Sequence, residues 1–258
     1  MDYNFFDVGL LVTHYNRSNS LERLLQAFKM LNCTFQEIVV SDDGSSALHL
    51  DVLLALREQY GFKLTLAESN RGLGNNINKG QQAITAPLTL YVQEDFVPTQ
   101  RFPGSFLNAL ELFRKNRELD IIRFYAYYQY PYLRPYKYGY SEMIYKIWYY
   151  RYRKIYFYSD HPHLRRSDFL VKFGKYAENL KGDRTEYLKC IEFLQKKGKG
   201  LFYNEYTSLF NQVNSDDEPS TMSRNNWTQT ENLAVSVIRN IYRQVKYNLD
   251  LLFLNVKS

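Results

Sequence analysis

The chain has 258 residues, 45% hydrophobic and 23% charged, with a formal net charge of +6. These values exclude a disordered or collagen-like chain and leave length enough for one α/β domain with a tail. No stretch approaches the roughly 18 uninterrupted apolar residues of a membrane span, the opening MDYNFFDVGLLVTHYNR carries acids where a secretory leader needs positive charge, and Cys33 and Cys190 supply neither a disulfide framework nor a zinc pair. A cytoplasmic chain with reduced thiols is expected.

The elements alternate from the start. Val8 to Thr13 is a short β-forming run, and a turn at Asn16–Asn19 leads into a helix over Ser20–Leu31 with Asn19 and Glu22 placed as an N-terminal cap. Strands follow at Glu37–Ser41, Lys63–Ala67 and Leu88–Gln93, with helices at Leu48–Tyr60 and about Gly74–Ala83 between them. A helix at Pro103–Asn116 and a strand at Ile121–Tyr127 continue the series, which predicts an α/β fold with a mostly parallel, Rossmann-like sheet covered by helices. The polar clusters Asp42-Asp43, Asn70-Arg71 and Glu94-Asp95 fall at strand C-termini, where such sheets bind ligands.

The second half is less regular. Helices are expected near Arg166–Phe173 and over Thr185–Lys197, and a strand at Leu201–Tyr203. The stretch 214–226 is polar and loop-like. From Asn232 to Leu254, apolar Ile238, Ile241, Val245, Leu249 and Leu252 recur at helical spacing beside a basic stripe of Arg239, Arg243 and Lys246. That helix has two placements open to it: on an anionic membrane surface, or with its apolar face packed across the domain.

Charge is concentrated. Residues 121–158 hold seven basic side chains against the single acid Glu142, so this segment carries the whole net charge, and it holds 14 of the 24 tyrosines. It reads either as a self-packed aromatic insertion or as a surface for an amphipathic or anionic partner. Stacking rings with cations also bind single-stranded nucleic acid, but no RNA-binding signature accompanies them, and no nucleic-acid partner is expected. Gly72-Leu73-Gly74 lacks the third glycine of a dinucleotide fingerprint. His161 and His163 have no third ligand nearby and read as a polar loop, and His14 carries no legible signal.

Six segments in order resemble the family-2-like glycosyltransferases of GT-A fold, of the bacterial surface-polysaccharide type: VTHYNRSNSLERLLQAF, EIVVSDDGS, ESNRGLGNNINKG, LYVQEDFVP, HLRRSDFLVKFGKY and TEYLKCIEFLQKKGKGLFY. The resemblance spans about residues 6 to 204. It implies a GT-A domain over 1–210, with a nucleotide-sugar half at 1–100 and an acceptor half at 101–210, followed by a tail at 211–258. It also implies an inverting transfer of sugar from a nucleotide-diphosphate donor to a saccharide or lipid-linked saccharide acceptor, by an enzyme that is cytoplasmic or peripheral on the inner membrane face. Donor contacts are implied at Thr13, Tyr15, Asn16, Arg17, Asp42, Asp43, Asn70, Arg71, Gly72, Asn76, Gln93 and Glu94, and a ligand for Mg2+ or Mn2+ at Asp95.

For the base that takes the acceptor proton, the resemblance points to Glu186 first and Asp183 second. The residues alone give blander readings: Asp42-Asp43-Gly44 is a tight turn, and Asp183 with Glu186 is a helix cap. Gln93 and Tyr187 stand where the family has acids, which opens a competing reading, a GT-A scaffold that binds without chemistry.

Overall fold

The computed structural model describes residues 1–214, 218 and 233–255. Except for Asn214 and Glu218, the expected loop at 214–226 lies outside the described residues, as does Asn232, where the last helix was expected to begin. The first half runs β1 (Tyr3–His14), α1 (Ser18–Met30), β2 (Cys33–Asp42), α2 (Ala47–Tyr60), β3 (Lys63–Leu66), α3 (Leu73–Ala83), β4 (Leu88–Gln93), β5 (Phe96–Pro98), α4 (Phe102–Lys115) and β6 (Ile121–Arg123). Then come β7 (Leu133–Pro135), β8 (Tyr140–Met143), a 3-10 turn at Tyr152–Ile155, β9 (His163–Arg166), α5 (Phe169–Phe173), α6 (Gly182–Gln195), β10 (Gly200–Tyr203), β11 (Phe210–Gln212) and α7 (Leu233–Phe253).

Nine strands form one sheet in the order β3-β2-β1-β4-β9-β6-β10-β8-β7. Only β8 and β9 run against the other seven, so the mostly parallel α/β sheet expected from the alternation is present. The run Val8–Thr13 lies inside it between β2 and β4, and Val8, Leu10, Leu11 and Val12 are buried because helices cover both faces. One face packs on α1 and α4 through Leu21, Leu24, Phe28, Phe102 and Phe106, and the other on α3, α5 and α6 through Ile77, Phe169, Phe173 and Ile191.

Three expectations need correction. Arg166, expected to open a helix, ends strand β9, and the helix is confined to Phe169–Phe173. The strand was hidden by a buried charge. Arg165 is fully buried, donates from Nε to Gln81 Oε1 at 3.0 Å and from Nη1 to the Tyr176 hydroxyl, and lies against the rings of Tyr91 and Phe169 at 5.5 and 5.1 Å.

Second, β6 stops at Arg123 rather than Tyr127: the Phe124 amide still donates to the Pro162 carbonyl opposite it, but the proline has no N–H to return the bond and the ladder with β9 ends there. Within the remainder of the tyrosine-rich segment, Leu133–Met143 forms the β7–β8 hairpin, whose turn places Tyr138 at φ 56° and Gly139 at φ 78°. Third, α7 does not pack its apolar face across the domain. Ile238, Ile241, Val245, Leu249, Leu252 and Phe253 are each between 50% and 77% exposed. Its opposite side is the docked one: Gln195 donates to the carbonyls of Leu251 and Leu254, and Tyr187 donates to Asp250.

A candidate active site at the strand ends

A cavity of about 920 Å³ opens at the C-terminal ends of β1, β2, β4 and β6. Eleven of the sequence-derived positions line it: Thr13, Tyr15, Arg17, Asp43, Asn70, Gly72, Asn76, Gln93, Glu94, Asp95 and Glu186. Asn16, Asp42, Arg71 and Asp183 do not, and each has another task.

Asp42 is fully buried at the end of β2. Its Oδ2 accepts the amides of Gly44 (3.0 Å) and Ser45 (2.9 Å), and its Oδ1 accepts from His14 Nδ1 (2.8 Å) and the Ser45 hydroxyl (2.5 Å). Burial pushes its carboxyl up, but the bonds from His14 and from the Ser45 hydroxyl and amide outweigh it and hold the group below the ordinary range. Asp42 therefore builds the turn and fixes His14, whose Nε2 accepts the Arg17 amide at 3.2 Å. The ring was unreadable in sequence because its partner lies 28 residues away.

Gly44 is required in this turn. Its φ is +75°, and a Cβ there would stand 2.5 Å from the Ser69 carbonyl carbon. Asn16 ties the first turn to the second, its amide donating to Ser45 Oγ and its Oδ1 accepting from the Ser46 amide, both at 2.8 Å. Arg71 points its guanidinium at Glu178 at 3.1 Å on the rim, and Asp183 is exposed, accepting the Arg184 amide at 2.8 Å.

On the donor wall, Asp43 accepts the amides of Arg71 (3.0 Å) and Gly72 (2.8 Å), so one carboxylate positions the loop that precedes α3. Burial pushes its carboxyl up. Gly74, in the first turn of α3, lets the Ala177 backbone approach, since a Cβ would meet the Ala177 carbonyl oxygen at 2.2 Å. At the end of β4, Glu94 and Asp95 are both buried. Burial, and then its neighbour Asp95, push Glu94 up to about 8, while Arg17 acts the other way.

The Arg17 Nη1 lies 3.5 Å from Asp95 Oδ2 and 3.6 Å from Glu94 Oε1. Its Nη2 donates to Asn214 Oδ1 at 2.7 Å and to the Glu218 carbonyl at 3.1 Å.

Asp95 Oδ2 accepts from Gln212 Nε2 at 2.8 Å, whereas the buried Oδ1 has no hydrogen-bond partner among the described residues. A buried carboxylate oxygen without a partner fits a hard divalent cation. Among the described residues no group of three or more His, Cys, Asp or Glu is arranged to hold a metal, so the remaining ligands would come from substrate phosphate and water.

Across the cavity stand residues that sequence reasoning missed. Asp160 follows the 3-10 turn, is 7% exposed, and donates its amide to Glu186 Oε1 at 3.4 Å. Burial, and then the adjoining Glu186 carboxyl, push Asp160 well up. Arg123, buried beside the pair, donates to the Tyr156 carbonyl at 2.7 Å. Arg153, Arg239 and Arg243 complete that wall with Tyr127, Tyr128 and Tyr156.

Tyr152 sits between two guanidiniums. Its phenol accepts from Arg243 at 3.1 Å and is drawn below its ordinary range by hydrogen bonding to Arg153, then by the two arginine charges, against burial. The signals for this wall in the sequence were the density of Arg and Tyr in 121–158 and the basic stripe of Arg239 and Arg243 on the last helix. His161 lines the cavity against the ring of Tyr127 at 4.6 Å, while His163 is fully buried with Nδ1 bonded to the His161 carbonyl, so the two rings do not form a metal pair.

Tyr187, where the family resemblance has an acid, packs on Tyr247 at 5.1 Å and bonds Asp250, so it anchors α7 to α6.

Comparison with known proteins agrees with this arrangement. The structure is similar to that of Staphylococcus aureus TarS (TM-score 0.62, 14% identity, covering 95% of this chain and 72% of that one), and to TarS in complex with UDP-GlcNAc (TM-score 0.60, 14% identity, 95% and 67%). It also resembles the mannosyltransferase PcManGT of Pyrobaculum calidifontis in complex with GDP-Man and Mn2+ (TM-score 0.56, 11% identity, 98% and 65%). These likenesses show the GT-A fold.

In sequence, the chain is 25% identical over 115 residues to the poly-beta-1,6-N-acetyl-D-glucosamine synthase of Staphylococcus epidermidis, 45% of this chain and 27% of that protein. It is 29% identical over 91 residues to an uncharacterised glycosyltransferase of Nostoc sp., 35% and 28%. The matches span little more than a quarter of those relatives' lengths. The pattern of "Glycosyl transferase family 2" matches residues 10–174, more than half of the chain and the part that supplies the whole donor wall, so the protein belongs to glycosyl transferase family 2.

Proposed function

We propose that the protein transfers a sugar, with inversion, from a nucleotide-diphosphate sugar to a saccharide or lipid-linked saccharide acceptor, on the cytoplasmic side. The observation that carries this reading is a single cavity in which Asp43, Asn70, Gly72 and Gln93–Asp95 form one wall and Glu186 stands on another. The complexes of similar fold, with UDP-GlcNAc in TarS and with GDP-Man and Mn2+ in PcManGT, support a nucleotide-sugar donor.

Asp43 accepts hydrogen bonds from donor hydroxyl or base N–H groups. Gly72 and Leu73, at the N-terminus of α3, favour the diphosphate. Asp95 would hold Mg2+ or Mn2+, which when bound offsets the charge of the leaving diphosphate. Glu186 takes the proton of the attacking hydroxyl as that oxygen bonds the anomeric carbon and the carbon–phosphate-oxygen bond breaks; such a base contributes about 10²- to 10⁴-fold. Arg153, Arg239 and Arg243 favour an acceptor with an anionic group, as the phosphate of a lipid-linked saccharide provides.

Glu186→Gln should lower turnover on the order of 10²- to 10⁴-fold with nucleotide binding retained; unchanged turnover would remove Glu186 from this role and bring Asp183 forward. Thermal unfolding with UDP, GDP, dTDP or CMP, with and without Mn2+, tests the donor wall. A nucleotide at about 100 times its dissociation constant adds about 2.7 kcal/mol and raises the midpoint on the order of 5 to 10 °C. Asp95→Asn should lose the Mn2+-dependent part of that shift.

The use of Arg17 against Glu94 and Asp95, and of Tyr187 as an anchor, favours a second reading, a donor-binding scaffold without transfer. Donor hydrolysis without acceptor separates the two, since a binder shows none.

A further inference from the structure

Helix α7 has an inside and an outside. Inside, Arg243 reaches Tyr152 at 3.1 Å, Tyr247 packs on Tyr187, and Gln195 holds the last turn. Outside, Ile238, Ile241, Val245, Leu249, Leu252 and Phe253 form a continuous apolar stripe, each at least half exposed. No helix among the described residues is long and apolar enough to cross a membrane.

The loop at 146–151 abuts α7, with Gln244 donating to the Tyr149 carbonyl at 2.8 Å, and it presents Trp148 and Tyr150, each 73% exposed. Lys154, buried below, fixes this loop by donating to the carbonyls of Ile147 and Tyr149. Exposed Lys146 lies over the Trp148 ring at 5.4 Å and exposed Arg151 over Tyr150 at 5.7 Å. Of the basic side chains of α7, Arg239 and Arg243 line the cavity and Lys246 donates to Asp250, so the cations this face presents are Lys146 and Arg151 of the loop. The single described acid of α7, Asp250, is engaged by Tyr187 and Lys246.

We infer that α7 and the 146–151 loop form one docking face for a lipid bilayer bearing anionic headgroups, with the stripe and Trp148 at the depth of the acyl boundary and the cations among the headgroups. The charge pattern selects this occupant. Pairing the face with a second copy would set its cations against one another without acids to offset them, whereas anionic headgroups complement them. Tryptophan and tyrosine beside lysine and arginine suit the same depth. The inference does not depend on the transfer reaction.

The full chain should co-sediment with phosphatidylcholine vesicles that contain phosphatidylglycerol, and not with phosphatidylcholine alone. In a Trp227→Phe background, brominated lipid should quench Trp148. Ile241→Ser with Val245→Ser and Leu249→Ser should abolish sedimentation while leaving the unfolding midpoint and nucleotide binding intact, because those side chains are exposed and outside the cavity. Lys146→Ala with Arg151→Ala should weaken it on the order of 30-fold.

A chain that stays in solution with anionic vesicles overturns the inference. So does equal binding to neutral vesicles or by the serine variant, or a dimer in sedimentation velocity that the serine variant dissolves.

Discussion

Asp160 and Glu186 place two carboxyl groups within hydrogen-bonding reach in a largely dry corner, with Arg123 beside them. Because burial and its neighbour raise Asp160 in the folded state, the folded chain holds a proton there that the unfolded chain releases near pH 4. The sign follows from linkage: the contribution is favourable below the unfolded value and is lost as pH rises through the folded one. Asp160→Asn, which keeps the shape and stays neutral, should therefore raise the unfolding midpoint at pH 7 to 8 by on the order of a few degrees, with no gain near pH 4. A gain that is flat with pH would contradict a raised Asp160 carboxyl.

Nothing local announced Asp160. Asp43 and Asp95 were legible because they follow the apolar strands β2 and β4 within two residues, whereas Asp160 stands in an irregular stretch and acquires its role from a helix 26 residues on. Asp42 shows the reverse: it was legible as a site residue in the resemblance, yet its oxygens are taken by its own turn and by His14, as the plain reading of a tight turn had it.

Among the elements, α1 shows how far a cap can come from. Asn19 and Glu22 predicted a local one, but the helix starts at Ser18 with no side-chain cap from its own N-terminus. Instead Glu218 accepts the amides of Asn19 (2.9 Å) and Ser20 (2.8 Å) and the Ser20 hydroxyl (2.6 Å). Those bonds hold Glu218 below the usual carboxylate range despite burial.

Glu218→Ala should cost about 1–2 kcal/mol. With a depressed folded value, that stabilisation is present above roughly pH 4.5 and is lost as pH falls below it, so wild type and variant should converge in acid. Urea unfolding at pH 7 and pH 3 reads both.

Strands with apolar cores, β1, β2 and β4, were legible within a few residues. β9 was not, because a buried arginine breaks the hydrophobic pattern, and the cation–ring and amide partners that make Arg165 tolerable are distant in sequence.

For the molecule as a whole, the alternating pattern sufficed for the sheet, and the ordered motifs for the family. The expected division at residue 210 fares differently. β11 begins there and pairs with β5, the Val213 amide donates to the Asp95 carbonyl, and Gln212 bonds the Asp95 side chain. The chain just past the expected boundary thus belongs to the site. Both walls of the cavity mix their charges, with Asp43, Glu94 and Asp95 beside Arg17 on the donor side and Arg153, Arg239 and Arg243 with Asp160 and Glu186 opposite. Two of those three opposite arginines come from α7, beyond the part that matches the family.

The bonds from Arg17 to Asn214 and to the Glu218 carbonyl join positions 197 and 201 residues apart. During synthesis, the first turn of α1 and the guanidinium facing Glu94 and Asp95 must wait for nearly the whole sheet before their partners exist. Closing so long a loop is slow and entropically late. The N-terminal edge of the donor wall is thus among the last parts to set, although its residues precede nearly all of the sheet in sequence.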